Sequence, residues 1–106
     1  MDSFEQIDIH KAKELMDKGG VNIVDIRDTD SYEESHIKDA VSLTDSNVEE
    51  FVGKADKKKS LICYCFMGNS SQGAAQYFKE NGFETVYSVI GGFEEWRSNY
   101  PVEGQF

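Results

Sequence analysis

The sequence predicts an α/β fold in which a parallel sheet is covered by helices, and three observations carry that prediction. Short runs of β-branched and apolar residues alternate with segments of helical periodicity along the whole chain. One of those runs, Leu61-Ile62-Cys63-Tyr64, is apolar without alternation, the pattern of a central strand buried on both faces. Helical segments end at Gly19-Gly20 and Asn81-Gly82, pairs that accept the left-handed geometry closing a helix. The length of 106 residues fits a single domain, 1–106, able to bury roughly two thirds of the surface its unfolded chain exposes. Hydrophobic residues at 39% and aromatics at 12% supply its core and exclude a disordered segment.

Taken in order, Phe4 to Ile7 is a short strand, and Ile9, Ala12, Leu15 and Met16 recur at helical spacing before Gly19-Gly20. Asn22 to Ile26 is a second strand of mostly β-branched residues. The polar stretch Arg27 to Lys38 holds one or two helical turns around Ser31 to Ser35. Ala40 to Leu43 makes a third short strand, and Asn47 to Phe51 a small helix. Leu61 to Tyr64 is the central strand, followed by a helix whose Ala74, Ala75 and Phe78 share a face. Thr85 to Val89 is the fifth strand, and Gly91-Gly92 turns tightly into a last helix carrying Phe93, Trp96 and Arg97. No internal repeat or proline-rich linker interrupts this alternation, and the single proline is Pro101.

Charge narrows the function classes. Eleven Lys and Arg against twenty Asp and Glu leave a net charge of −9, with no basic stripe beyond Lys57 to Lys59, which reads as a solvated turn. Neutralising a phosphate backbone needs clustered cations, so nucleic acid is not an expected partner. The surplus carboxylates also repel an anionic membrane surface. A small anion is still admissible, because local amides decide its binding and exposed charges are screened over about 8 Å. The N-terminal stretch has no cationic n-region or apolar h-region, and the longest apolar run, Leu61 to Met67, falls far short of the roughly 18 residues of a spanning helix. A cytoplasmic location is expected. The two cysteines, Cys63 and Cys65, are too close in one extended segment to staple a fold, which favours a reducing compartment and a reactive thiol.

Cys65 falls at the carboxyl end of the most buried strand, where open parallel sheets bind their ligands. A loop of small and polar residues follows, then a helix N-terminus. Loop N–H groups can curl around the sulfur as an anion-binding nest, and the first helical turn adds its dipole. Both favour thiolate over thiol, so Cys65 is expected to have a depressed pKa and to act as a nucleophile.

The run Cys65-Phe66-Met67-Gly68-Asn69-Ser70-Ser71-Gln72-Gly73-Ala74-Ala75 resembles the active-site loop of the rhodanese sulfurtransferases. Val24-Asp25-Ile26-Arg27, His36-Ile37 before Ala40, and Gly91-Gly92-Phe93-Glu94-Glu95-Trp96 are similar to further signatures of that family, in the same order. The resemblance spans essentially the whole chain. It implies the rhodanese-like three-layer fold, with a central five-stranded parallel sheet flanked by helices on both faces. It also implies transfer of the sulfane sulfur of thiosulfate, through a persulfide on Cys65, to cyanide or to a thiol such as that of thioredoxin. Phe66, Met67, Gly68, Asn69 and Ser70 match the loop whose amides cradle persulfide and substrate, and Ser71 matches the entry to the helix. No cofactor and no metal are expected.

The chemistry suits those residues. Sulfite is a good leaving group, so a thiolate displaces it without a general acid, and the nest removes the need for a general base. Two departures from the family pattern stand out. No Lys or Arg lies between Cys65 and Gln76, so anion affinity is expected to rest on amides and helix dipole, each first-turn contribution being about 0.3–1 kcal/mol. Ser35 and Lys38-Asp39 stand where the family usually has Gly and then Pro-Gly, which touches a structural turn.

Other residues have plainer readings. Cys63 is a core residue on the same side of its strand as Cys65. Asp25 ties the loop after its strand, and Arg27 pairs with a nearby carboxylate. His36 is structural. Phe66 and Met67 form either an apolar rim for a protein thiol acceptor or a patch folded onto a neighbouring helix. Two competing functions remain. A cysteine phosphatase or arsenate reductase would need an Arg six positions after the cysteine to clamp the oxyanion, where this chain has Ser71. A persulfide carrier or redox-regulated binding module would use the same pocket without turning over.

Overall fold

The computed structural model describes residues 3–104; Met1, Asp2, Gln105 and Phe106, the ends of the expected 1–106 domain, lie outside the described residues. Ten elements follow the expected order: β1 (Glu5–Ile7), α1 (Ile9–Lys18), β2 (Asn22–Asp25), α2 (Thr29–Glu34), β3 (Val41–Ser42), α3 (Val48–Lys54), β4 (Leu61–Tyr64), α4 (Ser70–Glu80), β5 (Val86–Val89) and α5 (Gly92–Arg97). The strands form one parallel sheet in the order β1-β5-β4-β2-β3, which puts β4 at the centre.

All four residues of β4 are fully buried, as its unbroken apolar run requires. Its side chains alternate between two cores. Leu61 and Cys63 meet Phe78 of α4, with Phe51 and Val52 of α3 at the edge of that cluster. Ile62 and Tyr64 meet Ile9 and Ala12 at the start of α1, and Phe93 and Trp96 of α5. Helices therefore cover both faces of the sheet, the three-layer arrangement that the resemblance implied.

Local chemistry sets the helix starts. Asp8 caps α1 by accepting from the Lys11 amide at 2.8 Å, and Asp28 caps α2 by accepting from the Ser31 amide at 3.1 Å. Gly19, at φ +77°, ends α1. The edge strand β3 is shorter than the expected Ala40 to Leu43: β2 pairs with Val41 and Ser42, and beyond them the Leu43 amide donates to the Asp25 carbonyl at 2.9 Å. Asp39, where the family usually has glycine, takes φ +68°, a conformation that aspartate tolerates better than most residues. Lys57 departs from a plainly solvated turn: it is half-buried, its ammonium donates to the Val52 carbonyl, and it lies 5.3 Å from the centre of the Phe83 ring.

Past the end of β2 sits a buried ion pair. Arg27 reaches the Asp25 carboxylate through Nη2 at 2.7 Å and Nε at 3.1 Å, with side-chain exposures of 3% and 0%. The carboxylate also accepts from the Arg27 amide at 2.8 Å, and Nη2 donates to the Ser35 carbonyl at 2.6 Å. Arg27's carboxylate partner is thus the aspartate two residues earlier. Its guanidinium lies 4.0 Å from the centre of the Phe93 ring and 5.3 Å from that of Phe66, which fixes the loop after β2 against the loop after β4. Removing one member of such a pair leaves a buried charge without its partner. Arg27→Met is expected to cost about 3–5 kcal/mol of stability, measured by urea denaturation; a loss below about 1 kcal/mol, the range of a surface pair, would show that the buried Asp25 charge is compensated elsewhere.

Candidate active site

β4 delivers Cys65 to the carboxyl edge of the sheet, one residue beyond the strand. The chain then winds through Phe66 to Asn69 and enters α4 at Ser70. Asn69 makes no side-chain capping bond, so the first-turn amides of α4 are not satisfied in the usual way. The sulfur takes that place. The Ser71 amide donates to Cys65 Sγ at 3.3 Å, and the Gly68 amide donates from the opposite side of the loop at 3.1 Å.

Two glycines make this winding sterically possible. Gly68 has φ +94°, and a Cβ there would fall 2.9 Å from the Gly91 nitrogen. Gly92 has φ +57°, and a Cβ there would lie 2.6 Å from the Cys65 carbonyl oxygen and 2.8 Å from the Met67 nitrogen. That close approach lets the Phe93 and Glu94 amides donate to the Cys65 and Phe66 carbonyls at 2.8 and 3.0 Å. The loop's carbonyls are thereby turned toward α5 while amides face the sulfur. The Gln72 side chain braces the same loop by donating to the Gly68 carbonyl at 2.9 Å.

A serine pair completes the surroundings of Sγ. Ser71 Oγ lies 3.4 Å from the sulfur and 2.7 Å from Ser88 Oγ on β5, and both serines are buried. A thiolate can only accept, so with the sulfur ionised Ser71 gives its one hydroxyl proton to Sγ and receives that of Ser88. Burial pushes the Cys65 thiol up. The Ser71 hydroxyl, then the amides of Ser71, Gly68 and Met67, outweigh it and hold the thiol below the ordinary range. Cys63 is the contrast: fully buried, its Sγ faces the Ser71 and Tyr87 carbonyls at 3.4 and 3.5 Å, and burial, with the neighbouring Cys65 charge, pushes it up to about 12. Of the two cysteines, the environment favours ionisation of Cys65 and opposes that of Cys63.

A cleft of about 360 Å³ opens over Cys65, bounded by Ile26, Arg27, Asp28, Phe66, Met67 and Asn69, among others. Of the six loop residues singled out from sequence, Phe66, Met67, Asn69 and Ser70 line it, and Gly68 and Ser71 do not, so their parts differ. Gly68 and Ser71 amides hydrogen-bond the sulfur, whereas those of Phe66, Asn69 and Ser70 make no such bond to it. Phe66 and Met67 are exposed, 46% and 67%, and the Phe66 ring also lies 5.3 Å from the Arg27 guanidinium. Sequence spacing missed three contributors. Arg27 lines the cleft although no basic residue lies in the loop, Ser88 comes from the next strand, and Gly92 supports the loop from behind. The alternation of β5 and the Gly-Gly pair were the available signals, and neither specifies a distance to Cys65. His36 stands apart, stacked on Tyr32 at 3.9 Å with Nδ1 2.7 Å from the Tyr32 carbonyl.

A cysteine in an amide nest at the centre of a five-stranded parallel sheet defines a class of thiol-dependent α/β domains, and the sequence places the chain within that class. The family model described as Rhodanese-like domain matches residues 8–99, and the chain belongs to that family. It is 47% identical over 99 residues to a Coxiella burnetii protein named thiosulfate sulfurtransferase GlpE, covering 93% of this chain and 92% of that one. A Vibrio cholerae protein of the same name is 44% identical over 104 residues, with 97% and 98% covered. Among solved structures, the NMR structure of the rhodanese-like domain from an Anabaena protein superposes with a TM-score of 0.85 at 25% identity, covering 99% of this chain and 81% of that one.

Because charge-assisted hydrogen bonds contribute about 1.5–3 kcal/mol, Ser71→Ala is expected to slow iodoacetamide alkylation of Cys65 at neutral pH roughly tenfold or more. Its pH–rate profile should move to higher pH, since a raised thiol pKa leaves less thiolate at any given pH below it. Ser88→Ala should shift the profile the same way by less. Unchanged profiles in both variants would mean that the main-chain amides alone ionise the sulfur.

Proposed function

We propose that the chain is a thiosulfate sulfurtransferase in which Cys65 is the sulfur-accepting nucleophile and the Phe66 to Ser71 loop binds the substrate. The observation that carries this reading is the thiol itself: a cysteine held below the ordinary range by hydrogen-bond donors, beneath an open cleft. The likeness to proteins named thiosulfate sulfurtransferase over nearly the whole chain supports the choice of donor.

In the first half-reaction the Cys65 thiolate attacks the sulfane sulfur of thiosulfate. An Sγ–S bond forms, the S–S bond of thiosulfate breaks, and its electron pair leaves with sulfite. The charge lost from Sγ is carried by the outer persulfide sulfur. The loop amides around the cleft suit an anion at that place. In the second half-reaction an acceptor such as cyanide attacks the outer sulfur, thiocyanate leaves, and the electron pair returns to Sγ in its nest. No step needs a general acid or base, so the distance of His36 from the cysteine is no obstacle. A phosphatase would need a cation at position 71, where this chain has a serine hydroxyl hydrogen-bonded to the sulfur.

The exposed Phe66 and Met67 favour a protein thiol such as thioredoxin as a further acceptor, and they are also what a persulfide carrier would present to its partner. The free cysteines suit the reducing cytoplasm. Among the described residues, no helix is long and apolar enough to cross a membrane.

Intact mass spectrometry after thiosulfate treatment is expected to show the added mass of one sulfur atom, removable by a reductant. Cys65→Ser should gain nothing, while Cys63→Ser should still load and lose some stability through its buried hydroxyl. Loading that follows Cys63, or no loading at all, would overturn the assignment. Steady-state thiocyanate production separates an enzyme from a carrier, which would load once and stop.

A further inference from the structure

The cleft over Cys65 is bordered by two ionised side chains besides the sulfur, Arg27 and Asp28, consecutive residues past the end of β2. They are not equivalent. The Arg27 charge is already matched: its side chain is 3% exposed and holds the buried Asp25 carboxylate through Nη2 at 2.7 Å and Nε at 3.1 Å. Asp28 is exposed, and its carboxylate accepts from neutral donors, the Ser31 hydroxyl at 2.7 Å and the Ser31 amide at 3.1 Å. Those donors hold its carboxyl below the ordinary range, so it is ionised at neutral pH. In the adjoining smaller cavity, which shares Arg27 and Phe66 with the cleft, Arg97 pairs with Glu94 at 3.2 Å and Glu34 adds a further acid. The charge that faces the cleft without an ionic partner is therefore negative.

We infer that Asp28 is a specificity-determining residue for the sulfur donor, set against a second negative charge on the donor's leaving group. The inference rests on the sulfurtransferase reading. In-line displacement at the sulfane sulfur puts the leaving group on the far side from Sγ, out in the cleft that Asp28 borders. The electron pair of the broken S–S bond departs with that group, so negative charge grows there as the bond breaks, and a fixed carboxylate opposes the growth. The opposition scales with the charge of the donor. Thiosulfate carries two negative charges and leaves as sulfite. Methanethiosulfonate presents the same sulfane sulfur with a methyl group in place of one oxygen, carries one negative charge and leaves as methanesulfinate. With either donor the Sγ–S bond forms and the donor's S–S bond breaks, so the comparison isolates what Asp28 does to the charge.

The test uses the full-length protein and measures kcat/KM for each donor with cyanide as acceptor, a ratio that reports the donor half-reaction. Asn and Ser also cap helices, so Asp28→Asn and Asp28→Ser remove the charge while keeping a cap on α2. Each is expected to raise kcat/KM for thiosulfate roughly threefold at low salt, and that for methanethiosulfonate by about the square root of that factor. Both gains should shrink at high salt, because the carboxylate is exposed. Glu84→Gln, which removes an exposed charge ahead of β5 at the opposite edge of the sheet, should leave the preference between the two donors unchanged. No gain for thiosulfate, an equal gain for both donors, or an effect of Glu84→Gln as large as that of Asp28→Asn would overturn the role of Asp28. Failure of wild-type protein to accept sulfur from either donor would instead overturn the sulfurtransferase reading itself.

Discussion

The site depends on one contest, between the cost of keeping a sulfur out of water and the hydrogen bonds that repay an anion there. Cys65 is only 5% exposed, and burial alone would keep it a thiol, as it does Cys63 two residues earlier. What separates the two is the direction of nearby dipoles. Cys63 faces the oxygen ends of two peptide groups, and Cys65 faces the hydrogen ends of others together with a serine hydroxyl. Ser71 serves both, with its carbonyl toward one sulfur and its amide and hydroxyl toward the other.

That orientation is a property of backbone path, which explains why glycine appears where it does. Gly68 lets the loop curl, and Gly92 lets α5 approach until its first amides take up the loop's carbonyls. Engaging the carbonyl oxygens of Cys65 and Phe66 from α5 anchors the start of the loop, whose later amides, Gly68 and Ser71, donate to the sulfur. On the opposite flank, the buried Asp25–Arg27 pair fixes the neighbouring loop and carries Phe66 and Phe93 against its guanidinium. The cleft is thus framed by rigid parts on both sides while its rim stays apolar.

Much of the fold was legible because its signals are local. The apolar run of β4 and the glycines ending helices each act within a few residues, whereas the capping aspartates before α1 and α2 emerged only with the structure. The position of Cys65 was legible for the same reason, a strand, a small-residue loop and a helix being contiguous in sequence. What escaped arrives from elsewhere in the chain. Ser88 meets Ser71 only because β5 pairs with β4, and Arg27 reaches the cleft only because β2 pairs with β4 on the other side. Its folding back onto Asp25, two residues earlier, likewise depends on enclosure by Phe93 and Phe66 rather than on spacing. The half-burial of Lys57 belongs with these, since the Phe83 ring it covers comes from a later turn.

The sulfur's place at the head of α4 makes the helix answerable to chemistry. Asn69 offers that end no side-chain cap, and Cys65 Sγ receives the Ser71 amide in its stead. Oxidation, alkylation or extension of the sulfur alters its charge or its reach, and with it the anchoring of the first turn. A reactive atom that doubles as a helix terminus ties the covalent state of the sulfur to the hydrogen bonding of that helix's first turn.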